Sequence, residues 1–165
     1  MRTTCCIALL SAFLASPVFA ADPAKPLGKS GDWESFTYAE KGGKVCYMRS
    51  LPKKSTGAPK KRGAAFFTIT HRTTDKSIGV VSVDAGFAFK KDSQPLLEVG
   101  TTKFDLYVSD ETAWSRNDKA VVAAMLKGKA VSVKQMPAKG DAVTDVYSLN
   151  GFAKAYKDIG TACGL

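Results

Sequence analysis

From Val81 to Phe89 the chain alternates: Val81, Val83, Ala85, Phe87 and Phe89 are interleaved with Ser82, Asp84, Gly86 and Ala88. A period of two belongs to a β-strand with one buried face, so the fold must build a sheet and cover one side of it. Phe67 and Ile69 mark a strand before this run, and Lys44–Arg49 reads as another. Leu96, Leu97 and Val99 suggest a further strand. After a hairpin turn at Gly100, Phe104, Leu106 and Val108 alternate with Lys103, Asp105 and Tyr107. Val131 with Val133, and then Val143 to Leu149, carry the same period. Two helical stretches interrupt it. Asn117 and Asp118 cap and charge a segment whose Val121, Val122, Met125 and Leu126 share one face, with Gly128 as its end. Ser148 is the expected cap of a second, in which Leu149, Phe152, Tyr156 and Ile159 recur at helical spacing. Gly160 would stop it and leave Cys163 just beyond. Many short strands divided by glycine and proline turns predict a mainly β protein: an antiparallel β-sandwich with two short α-helices, one near the C-terminus.

The front of the chain sets the compartment. Met1–Arg2 is a short positive start, Cys5 to Ala15 is a compact apolar run, and Pro17-Val18-Phe19-Ala20 ends in a small-x-small pattern. This layout predicts a signal peptide over residues 1–20, cleaved after Ala20. Cys5 and Cys6 do not follow the apolar core, as a lipidated cysteine must, so a lipid anchor is not expected. No later stretch approaches the roughly 20 apolar residues of a spanning helix, which predicts no transmembrane segment in the mature chain. Residues 21–31, rich in Pro, Gly and Lys, read as a flexible lead-in, and residues 32–165 as a single domain with one core.

Removing the signal leaves Cys46 and Cys163 as the only cysteines. A disulfide and two buried free thiols are the alternatives, and an exporting, oxidising compartment favours the disulfide. That leaves little for catalysis. His71 is the only histidine, which excludes a multi-histidine metal site, and its place at strand period beyond Ile69 favours a structural or surface role over a catalytic one. No Gly-x-Ser-x-Gly elbow and no phosphate-cradling glycine loop is present. Asp84 with Glu98 or Asp105 is a conceivable carboxylate pair, but alternation with apolar residues suits a solvated strand face better. No enzyme activity, cofactor or metal is expected.

The chain carries 24 Lys and Arg against 15 Asp and Glu, a formal charge of +9. Five of the basic residues, Lys53, Lys54, Lys60, Lys61 and Arg62, fall in Leu51–Gly63, a segment with no apolar period that reads as an exposed loop. Their functional reading is attraction to anionic lipid, lipid A phosphates or sulfated glycan, and their bland reading is a solubilising surface. Nucleic acid is not expected, because the loop lacks the interleaved aromatics of a single-strand platform. Trp33 and Trp114 admit a ligand-stacking role, with packing the favoured fate of both.

The run Gly140-Asp141-Ala142-Val143-Thr144-Asp145-Val146-Tyr147-Ser148-Leu149-Asn150-Gly151-Phe152-Ala153-Lys154-Ala155, followed by Cys163, resembles the terminal signature of the invasion-associated locus B family. Gly31-Asp32-Trp33, Cys46-Tyr47 with Ser50 and Pro52, Gly86-Phe87-Ala88-Phe89, Ala113-Trp114 and the helix end Val122–Gly128 follow in the family's order. Glu34, Ser35 and Phe36 stand where many members have an additional cysteine, and Lys139-Gly140-Asp141 replaces the usual Arg-Gly-Thr turn. The resemblance implies an exported Gram-negative, mainly alphaproteobacterial, protein with an immunoglobulin-like β-sandwich, whose founding members are associated with entry into host cells. It implies a non-enzymatic binding module with an unknown envelope or host-surface partner, periplasmic, secreted or held at the outer surface. The alternative is a structural envelope protein held near anionic membrane or lipopolysaccharide by its basic surface.

Overall fold

A computed structural model describes residues 23–165, and the expected signal peptide lies outside the described residues. In chain order the strands are β1 (Lys25–Ser30), β2 (Trp33–Glu40), β3 (Gly43–Ser50), β4 (Lys54–Thr56), β5 (Phe66–Arg72), β6 (Ser77–Asp84), β7 (Leu96–Val99), β8 (Thr102–Ser109) and β9 (Thr112–Ser115). Helix α1 (Asp118–Met125), strands β10 (Ala130–Gln135) and β11 (Val143–Ser148), and helix α2 (Phe152–Cys163) complete the fold. The pairings are antiparallel and connect in the order β1-β2-β3-β5-β6-β9-β8-β7-β10-β11-β4. Strand β8 pairs with β9 on one side and β7 on the other, so the expected two β-layers are halves of one continuous sheet. The sheet folds over on itself, because Phe67 of β5 and Tyr147 of β11, far apart in strand order, bring their rings to 5.3 Å.

The core fills the space between the halves. Trp33, Met48, Phe67, Ile69, Val81 and Val83 come from one half, and Leu97, Leu106, Val131, Val133 and Tyr147 from the other, all buried. Trp33 sits edge-on to both Phe67 (5.9 Å) and Phe152 of α2 (5.1 Å), while its indole N–H donates to the Ser148 carbonyl at 2.9 Å. A buried Trp needs that acceptor. Helix α2 lies against β1, β2, β3 and β5, with Phe152, Ala155 and Ile159 buried. Cys46 of β3 and Cys163 of α2 form a disulfide, their Cα atoms 5.9 Å apart.

Helix α1 starts as the sequence predicts: the Asn117 side chain caps it by accepting the Ala120 N–H. Other expectations are corrected. Residues 21–31 are not all a lead-in, because Lys25–Ser30 forms edge strand β1 on β2. Only Ser30 of β1 is buried, so backbone pairing rather than apolar alternation defines it. The 81–89 run does not form one strand. Asp84 ends β6, Gly86 turns at φ +70°, and Phe89 makes only an isolated bridge to Pro137. Ser148 ends β11 and does not cap α2. Its hydroxyl accepts the Asn150 N–H, and Gly151 is the residue before the helix. Gly160 lies inside α2 with open space around it, and the left-handed residue that closes the helix is Gly164. Cys163 is therefore the last residue of α2.

Candidate functional site

The basic segment comes apart in the structure. Residues Lys54–Thr56 form β4, paired with β11, so the segment is not wholly loop. Arg62 turns inward with its side chain 10% exposed and meets Asp145, which is fully buried on β11. Asp145 accepts from Arg62 Nη1 at 2.8 Å, from Ser55 Oγ at 2.6 Å and from Gln135 Nε2 at 2.7 Å. Arg62 Nε donates to the Ala85 carbonyl at 2.6 Å, and the guanidinium lies 5.1 Å over the Phe87 ring. The carboxylate beside it raises the Arg62 pKa further. Burying an ion pair requires this many partners, since each unpaired charge would carry a large desolvation cost. Lys53 pairs with Asp32, and that ammonium, then Ser148, holds the Asp32 carboxyl below its ordinary value. Lys54, Lys60 and Lys61 remain exposed with no ion-pair partner among the described residues. Arg62 thus belongs to the core and not to an anion-binding patch.

The remaining reactive groups are engaged. His71 is buried, its Nδ1 accepts the Gly79 N–H at 2.9 Å, and its ring packs edge-on to Tyr156 at 5.2 Å. Burial lowers its pKa, which favours the neutral imidazole that accepts the Gly79 N–H. Asp84 accepts from Thr112 Oγ1 at 2.7 Å, Glu98 pairs with Lys103 at 3.0 Å, and Asp105 is exposed on β8. Among the described residues no group of three or more His, Cys, Asp or Glu side chains is placed to hold a metal ion, and no helix is long and apolar enough to cross a membrane.

A feature that sequence reasoning missed is the outer face of the first half-sheet. Because the inner face is covered by the second half-sheet and the helices, the alternate residues of β2, β3, β5, β6, β9 and β8 look away from the core. Register aligns Phe36, Tyr47, Thr70 and Val80 in one row, and Glu34, Arg49, Thr68, Ser82, Trp114 and Tyr107 in the next. Phe36 stacks on Tyr47 at 5.1 Å, and Tyr38 meets Tyr47 edge-on at 6.3 Å. Arg49 lies between Phe36 (4.9 Å) and Phe66 (4.7 Å), and Arg116 lies 5.0 Å over Tyr107. Tyr38, Tyr47 and Trp114 line a groove of about 470 Å³ together with Thr70, Arg72 and Asp75. The two tryptophans therefore part: Trp33 is core, and Trp114 is half-buried in a groove wall. A signal for this face was present, since Phe36, Tyr38, Tyr47 and Phe66 occupy the parity opposite to the buried Trp33, Met48 and Phe67.

The family model described as invasion associated locus B (IalB) protein matches residues 33–160. Among curated proteins none matches. A solved structure described as invasion associated protein B from Bartonella henselae is similar with a TM-score of 0.62 at 18% identity, over 87% of this chain and 100% of that one. At that identity the likeness speaks for the fold. The family match spans Trp33, the Cys46 strand, the Gly86–Phe89 turn and the run into α2, the segments whose packing has just been described, and on it the chain belongs to the invasion associated locus B family.

Proposed function

We propose that the protein is an exported, non-enzymatic binding module, periplasmic or at the outer surface, acting in envelope physiology or in contact with a host cell. The observation that carries this reading is the open aromatic–arginine face with its groove at Tyr38, Tyr47 and Trp114. Aromatic rings left half-exposed on a sheet face are not needed for the core, and they offer large contact area at low entropic cost. Thr70, Arg72 and Asp75 surround them with donors and acceptors. A sugar ring, apolar on one face and hydroxylated at its rim, matches that combination, so a glycan of the envelope or host surface is the ligand class we assign to the groove. The engaged states of His71, Cys46 and Cys163 support binding over chemistry.

Tryptophan fluorescence tests the assignment, because Trp33 is sealed in the core and Trp114 reports the groove. Lipopolysaccharide core oligosaccharide or a sulfated glycan should shift the emission saturably, and Tyr47→Ser should remove the response while leaving the fold intact. Wild-type emission unmoved by both glycans, with calorimetry also silent, would sink the reading. A second reading, a structural envelope protein held at an anionic surface, is supported by the unpaired Lys54, Lys60 and Lys61.

A further inference from the structure

Helix α1 carries more apolar surface than the core consumes. Val121, Val122 and Met125 are buried. Lys119, Ala123 and Leu126, at i, i+4 and i+7, run along an outer edge of the helix beside the buried Val122. With Ile78, Gly79 and Tyr156 this stripe lines a groove of about 410 Å³. Ile78 is 56% exposed and Leu126 47%. Single exposed aliphatics are ordinary, but two sharing one groove make a contiguous patch.

The charge around that patch has one sign in excess. Lys76 precedes Ile78 in the β5–β6 turn, Lys119 lies in the groove wall, and Lys127 and Lys129 follow Leu126. None of the four has an ion-pair partner among the described residues. The carboxylates on the same segments are engaged: Asp75 Oδ1 accepts the Ser77 N–H, and Asp118 Oδ1 turns inward to accept the Val81 N–H.

We propose that this face docks on an anionic lipid surface, with Ile78 and Leu126 entering the interface and Lys76, Lys119, Lys127 and Lys129 meeting the headgroup phosphates. The chemistry favours lipid over a protein partner. Lysines on flexible stems give charge without fixed hydrogen-bond geometry, and an aliphatic pair inserts without a shaped pocket. The inference goes beyond the glycan groove and uses different residues, so either can fail alone.

The test is co-sedimentation of the full protein with vesicles of phosphatidylcholine alone and of phosphatidylcholine with phosphatidylglycerol in equal parts. Binding should occur only to the second and weaken with salt. The double variant Ile78→Ser with Leu126→Ser should lower the partition coefficient roughly tenfold or more. The triple variant Lys119→Gln, Lys127→Gln, Lys129→Gln should lower it by about two orders of magnitude and flatten the salt dependence. Lys60→Gln with Lys61→Gln should stay within about twofold of wild type, and Tyr47→Ser should bind vesicles normally. If the aliphatic double variant fails to fold, Leu126→Gln alone serves, checked by its melting curve. No binding to anionic vesicles, or binding lost in the Lys60/Lys61 variant and kept in the α1 variants, overturns the proposal. So does a wild-type dimer in ultracentrifugation that the Ile78/Leu126 variant converts to monomer, since a second copy would then cover the face.

Discussion

Arg62 shows how far one side chain can depart from its sequence neighbourhood. Beside Lys60 and Lys61 it looks like one more loop charge, yet its partner Asp145 stands far along the chain on β11. The hint lay at the other end: Asp145 shares parity with Val143 and Tyr147, both buried, and a carboxylate in a core row requires a cation. Arg62→Gln should therefore destabilise the fold by about 3–5 kcal/mol in urea denaturation, as breaking a buried pair does. Lys60→Gln and Lys61→Gln together should stay within ~0.5 kcal/mol. His71 gives a pH prediction. Its folded pKa lies below the ordinary 6.5, so the unfolded chain binds the proton first as pH falls. Stability attributable to His71 is present above about 6.5 and is lost as pH drops from there toward the depressed folded value. Thermal melts should show this slope, and His71→Asn, which keeps an acceptor for Gly79, should remove it. Asp32 and Asp75 act in a separate, lower window, because their pKa values are lowered from 3.8.

Among the elements, long periodic segments were legible and short paired ones were not. Strands β3, β5, β8, β10 and β11 follow their alternation, and α1 follows its cap and buries Val121, Val122 and Met125, whereas Leu126, expected on the same face, caps the helix end and is exposed. Asn117→Ala should cost about 1 kcal/mol, read as a lower melting temperature with unchanged architecture. The short strands β4 and β9 and the exposed β1 carry too little side-chain pattern to announce themselves, since only the neighbouring backbone defines them. Helix α2 was foreseen in its buried face and misjudged at both ends. Gly160 looks like a stop, but it sits in ordinary helical conformation, whereas Gly151 and Gly164 have positive φ. Gly151 also has a steric role: a Cβ there would strike the Ser30 carbonyl, where the β1–β2 turn crosses the entry to α2. The grooves at Trp114 and beside α1 could not be located from any one segment, because each depends on which neighbours the fold brings to it.

At the scale of the whole molecule, the closing contacts join its earliest and latest described parts. The Asp32 N–H donates to the Asn150 carbonyl, Trp33 donates to Ser148, and Cys46 is bridged to Cys163 across 117 positions. Replacing both cysteines by Ala should lower stability by about 2–5 kcal/mol, since such a bridge restrains a long loop in the unfolded chain. Denaturation of the reduced wild type should show the same loss. Contacts of such long range form late and slowly. In a chain made from its front end, the Trp33 indole has no acceptor and Cys46 no partner until residues 148–163 have followed. The fold behaves as a latch whose catch lies 115 residues further along the chain, so the early strands cannot shut on their own.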